Sequence, residues 1–591
     1  MDIFSLFTLL GGLAFFLYGM NVMGVGLDKV AGGRLERLLE KLTSNPIKSV
    51  ALGTFVTAII QSSSATTVMV VGFVNSGIMK LRQAIGIIMG ANLGTTATAW
   101  ILSLAGLKGD SFVVKMLKPS SFAPILAFVG IFLIMVAKKE KKKDVGSIMI
   151  GFALLMFGMD VMSGAVKPLA DIPEFKNILT MFSNPILGVL TGAIFTAIIQ
   201  SSSASVGILQ ALSMTGGITF GSAIPIIMGQ NIGTCITAML SSIGAKKNAK
   251  RAALVHLYFN LIGTVLFLIV FYSIQYTIGF SFINNSVDAV SIAIVHTTFN
   301  LLTTAALLPF TRGLEKLACL TLKDDKDSNN SEDIITGLDE RFLASPGYAV
   351  DQCSEVTKQM AELAKDTILS SIHLLTEFDD KISDSIMDNE NRVDKYEDML
   401  GTYLVKLSSK ELSLSNSNSV SMFLHSIGDF ERISDHAVNI LDLAKEINQK
   451  AINFSKEAQD GLNVITNAVI DILNMTIKAF VTDDLELAKQ IEPLEEVIDI
   501  LRKELKDRHI RRLQKGQCTT ELGFVYTDIL TNFERVSDHC SNIAVSMLQL
   551  NENSFDTHEY LHDVKFKGER YFTEQFEANK KKYALPEVIN D

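Results

Sequence analysis

The residues best suited to chemistry form a short polar word, QSSSA, that occurs twice inside long apolar stretches. The copies are Gln61-Ser62-Ser63-Ser64-Ala65 and Gln200-Ser201-Ser202-Ser203-Ala204. Four consecutive hydrogen-bonding side chains are costly in hydrocarbon unless they meet polar partners. Two copies therefore predict a buried polar site built from two related parts of the chain, as in a transporter core.

Serine at these positions suits the binding of an anion. A serine hydroxyl can cap free backbone amides at the start of a helix, and a helix amino terminus carries partial positive charge. If each word marks a break between two half-helices, two such termini converge on a small oxyanion. The six candidate ligands are Ser62, Ser63, Ser64, Ser201, Ser202 and Ser203.

A bound dianion also needs positive charge, and no Lys or Arg lies near either word. Hydroxyl, amide and carbonyl oxygens can hold a hard cation such as sodium without carboxylates. The alternative interpretation is that membrane Ser and Thr side chains simply bond to their own helix backbone. The candidate sodium ligands are Gln61, Thr66, Asn92, Thr95, Gln200, Asn231 and Thr234.

The two words belong to a longer internal duplication. A shift of 139 residues, without a gap, superimposes Asn45-Pro46-Ile47 on Asn184-Pro185-Ile186. An ungapped register of this length indicates two structural repeats, a frequent plan among transporters. The same shift aligns Gly12, Gly19, Gly90, Asn92, Gly94 and Thr95 with Gly151, Gly158, Gly229, Asn231, Gly233 and Thr234.

Apolar segments predict the path of the chain through a membrane. Each polar word interrupts an apolar run, leaving halves of about 12–15 residues, shorter than the roughly 20 needed to cross a bilayer. Broken helices are tolerated where they are buried in protein or line a cavity, so we expect re-entrant helical hairpins near 46–76 and 185–215. The predicted full spans lie near residues 3–25, 81–106, 121–137, 146–166, 219–243, 252–276 and 287–311.

Basic loops orient these spans, because Lys and Arg are enriched on the cytoplasmic side. The most basic short loop is 138–143, and counting spans from it places residues 246–251, Arg312 and the segment from Lys29 to Lys80 on the same side. We therefore expect the amino terminus outside and the carboxyl terminus inside. Three spans separate the starts of the repeats, so the repeats should be inverted, with hairpins entering from opposite faces.

Charge divides the chain into two unlike regions. Residues 1–320 contain 23 Lys/Arg and 12 Asp/Glu, whereas residues 321–591 contain 30 and 51. The first region is membrane-like, with repeat one at about 1–137 and repeat two at about 146–311. The second is an acidic soluble region, which argues against nucleic acid as a partner. It comprises a polar linker at 321–344, long helical patterns at 345–550, and a charged tail at 551–591 that we expect to be loosely ordered.

The paired QSSS words in inverted repeats resemble the sodium/phosphate cotransporter family over about residues 1–315. The resemblance implies sodium-coupled movement of inorganic phosphate, with both words in the substrate and sodium site. His256 and His296, in late apolar spans, are interpreted as packing or interhelical hydrogen-bonding residues. Neither repeat supplies an obvious base for a serine nucleophile, so we do not expect an enzyme.

A second duplication lies in the acidic region, where the segment 430–436 (FERISDH) matches 533–539 (FERVSDH). Its Glu and Asp, four residues apart, share one helix face. The pattern resembles the PhoU family over about 345–550, which implies two three-helix bundles with a role in phosphate regulation. The resemblance also implies metal ions on the acidic faces. The alternative is that these acids are ordinary charged residues on a helix surface. The candidate metal ligands are Glu431, Asp435, Glu534 and Asp538.

Several alternatives stay open at this stage. Serines and helix termini do not distinguish phosphate strongly from another oxyanion, and a membrane-anchored phosphate sensor would use the same bundle as its output. We expect an all-α, multi-pass protein of the inner cell membrane whose partners are the lipid bilayer, sodium and inorganic phosphate. The sequence leaves open the direction of transport, the sodium stoichiometry and the oligomeric state. A homo-oligomer is one of the alternatives.

Overall fold

The computed structural model describes residues 3–31, 38–39, 45–106, 118–168, 181–323, 338–552 and 569–586. The described residues are overwhelmingly helical, and the fold is all-α, as predicted. Contacts divide the chain into two compact units. The first comprises Met1–Ala349 with Glu411–Ser413, and the second comprises Val350–Lys410 with Leu414–Asp591.

The first unit consists of apolar helices and short helical turns. Each polar word falls between two short helices, and a longer helix follows each pair. The helices are α1 (Ile3–Ala31), α2 (Pro46–Ile60), α3 (Ser63–Asn75), α4 (Leu81–Ser103), α5 (Pro119–Val136), α6 (Glu140–Val166), α7 (Pro185–Ile199), α8 (Ser202–Ser213), α9 (Phe220–Ser241), α10 (Lys247–Thr277), α11 (Ala289–Leu307) and α12 (Thr311–Thr321).

Within the described part of this unit, six segments are long and apolar enough to cross a bilayer. Large apolar side chains such as Phe4, Phe128 and Ile269 are exposed on the helices, as expected of a surface that faces lipid. The predicted span at 121–137 lies in α5, whose apolar stretch Ser121–Val136 is shorter than the other six. The six are Phe4–Ala31, Leu81–Gly106, Glu140–Val166, Phe220–Ser241, Lys247–Thr277 and Ala289–Thr321.

Glycines at equivalent positions of the duplication bring α1 and α6 into close contact. A Cβ atom at Gly19 would overlap the α6 backbone, and one at Gly158 would overlap the α1 backbone. Gly12 and Gly151 are confined in the same way. Small residues let membrane helices approach closely, so these shared glycines form a packing surface between the two repeats.

Glycines also seat each hairpin on the helix that follows it. A Cβ atom at Gly90 of α4 would overlap the backbone of Val50 in α2. The equivalent Gly229 of α9 is confined by Val189 of α7, which is the counterpart of Val50. The glycines of the aligned pattern therefore serve packing, whereas its asparagine and threonine are left for polar contacts.

The second unit contains two sets of long helices that carry the second duplication. Phe430 and its equivalent Phe533 are both fully buried, and the helices that hold them, α15 and α19, pack along each other. The helices are α13 (Pro346–Leu374), α14 (Asp380–Ser408), α15 (Leu414–Gln449), α16 (Lys456–Thr482), α17 (Leu485–Ala488), α18 (Ile491–Gln514), α19 (Thr520–Glu552) and α20 (Glu569–Lys582).

Helix α16 is also long and apolar enough to span a membrane by length and composition. Its Ile465, Val469 and Ile472 are fully buried, and the helix packs against α18 and α19. Burial inside a bundle explains its apolar character without a membrane.

The predicted polar linker and the predicted loosely ordered tail both contain ordered helical segments. In the predicted linker, Glu340–Ala344 forms a 3₁₀-helix whose Phe342 is buried against Phe73 of α3, with ring centroids 5.4 Å apart. In the predicted tail, Tyr583 follows α20, is buried, and donates to Asp471. Aromatic and polar contacts together hold both segments, and average composition does not reveal them. The rest of the linker and tail, 324–337, 553–568 and 587–591, lies outside the described residues.

Candidate functional site

The first QSSSA word forms the break between α2 and α3. Gln61 ends α2 in the left-handed conformation (φ 60°), and its backbone N–H donates to Thr57 O. Ser62 follows in extended conformation, and its Oγ accepts the N–H of Ala65 at 3.1 Å, which caps α3. Left-handed backbone is strained for a residue other than glycine. The break therefore holds Gln61 in a strained backbone conformation.

The second word repeats this geometry residue by residue. Gln200 ends α7 with φ 57°, and Ser201 Oγ accepts the N–H of Ala204 at 3.2 Å. The preceding helices begin alike, because the side chains of Asn45 and Asn184 both accept backbone N–H groups at their amino termini. The duplication in sequence is thus a duplication of two broken hairpins with the same local conformation.

A hydroxyl clasp joins the two halves of each hairpin across the break. Thr57 Oγ1 donates to Thr66 Oγ1 at 3.1 Å in the first hairpin. Thr196 Oγ1 donates to Ser205 Oγ at 2.8 Å in the second, at the equivalent positions. All four residues are buried. Thr66, a predicted sodium ligand, therefore has its oxygen engaged as an acceptor inside the hairpin.

The six predicted serines occupy the first turns of α3 and α8 and have different roles. Ser62 and Ser201 cap their helices. The side chains of Ser63, Ser202 and Ser203 are buried in the first turn, where backbone N–H groups lack intrahelical acceptors. Such an arrangement can donate hydrogen bonds to an anion.

The first hairpin contacts both of the long helices that carry the aligned Asn and Thr. Gln61 Oε1 accepts the hydroxyl of Thr98 in α4 at 2.9 Å, and Ser64 Oγ accepts that of Thr237 in α9 at 3.3 Å. Thr98 and Thr237 are equivalent residues of the duplication, and α8 in turn packs against α4. Each second half-helix thus contacts the long helix of the other repeat. Gln200, by contrast, is exposed.

Sequence reasoning missed Thr98 and Thr237, although the signal is present. Both repeats read N-x-G-T-x-x-T, over 92–98 and 231–237. The last threonine lies one turn beyond the predicted ligands Thr95 and Thr234, so it shares their helix face.

The remaining sodium candidates use their hydrogens within their own helices. Thr95 and Thr234 donate to the carbonyl oxygen four residues earlier, at 3.0 and 2.9 Å. Asn92 and Asn231 do the same through Nδ2. The alternative interpretation, bonding to the helix backbone, thus describes their donors. Their oxygen lone pairs are not consumed by these bonds and suit a cation.

Two residues of α10 meet Asn92 at the centre of the unit. His256 Nε2 lies 3.4 Å and Asn260 Nδ2 lies 3.5 Å from Asn92 Oδ1. Asn260 Nδ2 also donates to Cys235 Sγ at 3.3 Å. His256 therefore makes an interhelical contact, as predicted, whereas Asn260 is a polar residue that the sequence analysis did not identify.

In the second unit, Asp435 meets two acids of α14. Carboxylate oxygens of Glu390, Asp394 and Asp435 lie within 4.8 Å of one another. Burial, and then the charge of Asp435, raises the pKa of Glu431, and the same two causes raise the pKa of Asp394. Glu431 is on the edge of this group and contacts Arg432 at 3.5 Å. Clustered carboxylates suit a hard divalent cation.

A second acidic group lies on α18, near the predicted ligand Asp538. Burial, followed by the charges of Glu492 and Glu496, raises the pKa of Glu495 to about 8. Glu534 of the predicted pair forms an ion pair with Arg502 at 3.3 Å. Burial, and then Glu534, raises the pKa of Asp538. The three carboxylates within 4.8 Å of one another belong to Glu492, Glu495 and Glu496.

The two histidines of the duplicated segments make crossed contacts between α15 and α19. His436 Nδ1 lies 2.8 Å from Asn532 Oδ1, and His539 Nδ1 lies 2.8 Å from Asp429 Oδ1. Asp429 and Asn532 are themselves equivalent in the duplication, so the two contacts are related by a local pseudo-two-fold. The histidines pair the helices and stand outside the acidic groups.

Comparison with known proteins agrees with both duplications. A family model described as Na+/Pi-cotransporter matches residues 15–164 and again 157–292. The PhoU domain model matches residues 357–444 and again 462–547. Each model matches twice, once per copy of the duplication that it covers.

Individual relatives point the same way. The YjbB protein of Escherichia coli (strain K12), whose name assigns it provisionally to inorganic phosphate export, is 23% identical over 94% of this chain and 100% of its own length. The uncharacterized protein YqeW of Bacillus subtilis is 31% identical over 43% of this chain and 79% of its own length. Human sodium-dependent phosphate transport protein 2B is 38% identical over 17% of this chain and 15% of its own length.

These relatives are named as transporters or are uncharacterized, and none is named as an enzyme. The apolar helices, the paired hairpins and the two family models support one assignment. The chain is a multi-pass membrane protein of the Na+/Pi-cotransporter family that carries a PhoU domain.

Proposed function

We propose that the protein carries inorganic phosphate across the inner cell membrane, coupled to sodium, by alternating access. The observation that carries this proposal is the repeated tip, in which a left-handed glutamine is followed by a serine-capped helix start in both hairpins. Two helix amino termini with free N–H groups and hydroxyls suit the oxygens of phosphate.

The charge at these tips supports sodium as the coupled ion. Within 46–76 and 185–215 the single basic residue is Lys48, at the start of α2 and far from Ser62. Partial charges at helix ends, about half an elementary charge each, do not balance a phosphate dianion. Sodium held by the neutral oxygens of Asn92, Thr95, Asn231 and Thr234, together with Gln61, would supply the remainder.

The proposed arrangement in the membrane follows the basic loops. With 138–143, 246–251 and Arg312 in the cytoplasm, the amino terminus is outside, the acidic unit is cytoplasmic, and the repeats are inverted. Hairpins then enter from opposite faces, so that either tip can open to its own side while the other stays closed. The acidic unit would regulate this exchange through metal ions held by Asp435, Asp538 and their neighbours.

Flux of radiolabelled phosphate in proteoliposomes tests the function. An inward sodium gradient should drive phosphate accumulation, and Ser63→Ala or Ser202→Ala should reduce the rate at least about tenfold, because a buried donor to a charged ligand is lost. Ser76→Ala and Ser213→Ala, at the far ends of the same helices, are matched controls that should transport normally. Equal rates in all four variants would exclude the tips as the phosphate site.

Phosphate export is a second candidate, favoured by the similarity to YjbB over nearly the whole chain. Its test is release of preloaded phosphate from the same proteoliposomes without a sodium gradient. Rapid release that does not respond to sodium would support export and contradict sodium coupling. Release that requires sodium on the same side as phosphate would support symport that runs in either direction.

A further inference from the structure

A polar motif occurs on both α10 and α11, and only its α10 copy contacts the site described above, through Asn92. Residues 255–264 read VHLYFNLIGT and residues 295–304 read VHTTFNLLTT, so that V-H-x-x-F-N-L-x-x-T repeats after 40 residues. The shared polar residues follow each other at intervals of four, which places them on one face of each helix. They are His256, Asn260 and Thr264 on α10, and His296, Asn300 and Thr304 on α11.

The two copies are related by a local two-fold axis. A Cβ atom at Gly263 would overlap the side chain of Thr303, so the helices approach closely at equivalent positions of the motif. Phe267, four residues after Gly263, contacts Phe299, four residues before Thr303, with ring centroids 5.5 Å apart. This order requires antiparallel helices. The histidine ends of the two motifs therefore lie on opposite sides of the crossing point.

Both motifs present unpartnered acceptors in the buried interior. Asn260 and Asn300 donate through Nδ2 to the backbone oxygen of the histidine four residues earlier, at 3.1 and 2.9 Å. This bond turns each Oδ1 away from its own helix, and neither oxygen has a hydrogen-bond partner among the described residues. The hydroxyls of Thr264 and Thr304 have none either, and all four residues are at most 5% exposed.

The unpartnered amide and hydroxyl oxygens suit a cation. Amide and hydroxyl oxygens are ligands for a cation, and one hydrogen of each amide is already bonded to the backbone. Residues four apart on a helix are about 6 Å apart along its axis, near enough for Asn Oδ1 and Thr Oγ1 to share one ion. Helices α10 and α11 contain no Asp or Glu, so a monovalent hard cation fits better than a divalent one.

We propose that the pairs Asn260–Thr264 and Asn300–Thr304 are two symmetry-related sodium sites, separate from the serine tips. This inference rests on the proposed sodium coupling. The contact between Asn260 Nδ2 and Asn92 Oδ1 joins the α10 pair to the helix that carries Thr95 and Thr98. On the other side, Trp100 Nε1 of α4 donates to Thr297 of α11 at 3.0 Å. Through these two contacts, ion binding on α10 and α11 can change the position of α4, which contacts the first tip.

The sodium dependence of phosphate flux in the full-length protein tests the sites. Thr264→Val and Thr304→Val remove one oxygen each and keep the side-chain shape. Each should raise the half-saturating sodium concentration about tenfold, and the phosphate KM at saturating sodium should stay unchanged. Thr304→Ser keeps the hydroxyl oxygen, so its half-saturating sodium concentration should stay within about twofold of that of the unaltered protein. Thr277→Val is the control, because the Thr277 hydroxyl bonds to Ser273 O at the end of α10.

Direct binding of radioactive sodium to the detergent-solubilised protein separates this inference from the proposed function. Sodium binding that is reduced in the Thr264→Val/Thr304→Val double variant supports the sites even if flux proves independent of sodium. An unchanged sodium response of both single variants, with unchanged sodium binding by the double variant, overturns the inference and leaves the tips as the coupled site. Absence of sodium binding by the unaltered protein overturns both.

Discussion

Thr196 donates its hydroxyl hydrogen to Ser205 across the break in the second hairpin, at 2.8 Å. The equivalent contact in the first hairpin joins Thr57 to Thr66 at 3.1 Å. These bonds connect half-helices that share no backbone hydrogen bonds, so they contribute to the position of each serine-capped helix start relative to the helix before it.

The clasp predicts a transport defect with only a small loss of stability. Thr196→Val should lower the phosphate transport rate and reduce stability by about 1 kcal/mol, the value of an ordinary buried hydrogen bond. Flux and thermal unfolding of the same purified sample measure the two effects. Thr8→Val removes a hydroxyl that bonds only within α1 and should change neither. A Thr196→Val protein with normal flux would show that the clasp is dispensable.

The glycine contact between α1 and α6 predicts a position-specific loss of stability. Gly19→Val must separate two backbones and should destabilise the protein by about 1–3 kcal/mol, as overpacking does. Gly24, on the same helix, has open space around its Cβ position, so Gly24→Val should be close to neutral. Melting temperatures of the two variants make the comparison. Similar melting temperatures would contradict the close approach of the helices.

The acidic groups predict unequal effects on metal binding. Asp435→Asn should weaken binding of a divalent cation such as Mn²⁺, because Asp435 completes the group with Glu390 and Asp394. Glu534→Gln should have a smaller effect, because Glu534 is already paired with Arg502. Calorimetric titration of the full-length protein distinguishes them. Asp442→Asn is the control, because Asp442 forms an exposed ion pair with Lys445. A larger loss of metal affinity in Glu534→Gln than in Asp435→Asn would contradict this prediction.

Glu495 predicts a pH dependence of the acidic unit. Its pKa is raised from 4.5 to about 8 in the folded protein, chiefly by burial. The folded state therefore binds more protons than the unfolded state between these values, and stability should fall as pH rises through this range. Glu495→Gln should flatten the decline, measured as melting temperature without added metal. An equally steep decline in the variant would show that other groups cause it.

Much of this protein was predictable because its duplications carry the information. Asn45, Gln61, Ser62 and their partners 139 residues later predicted two hairpins with capped breaks, and both have that conformation. Local rules suffice there, since a helix break and its cap involve a few adjacent residues. The acidic groups, in contrast, depend on contacts between helices. Glu390 and Glu495 come from helices that the duplicated segment does not include.

The sequence by itself determined the all-α class, the two duplications, the membrane and acidic regions, and the family, because periodicity, hydrophobicity and repeated motifs are properties of the chain. Only the tertiary structure decided which side chains meet. In the folded chain Thr98 bonds to Gln61, Asn260 lies beside Asn92, and Asp435 lies near two acids of α14. Such contacts join residues far apart in the chain. Their geometry depends on how glycine-lined helices pack, and no local sequence pattern encodes the distance between two packed helices.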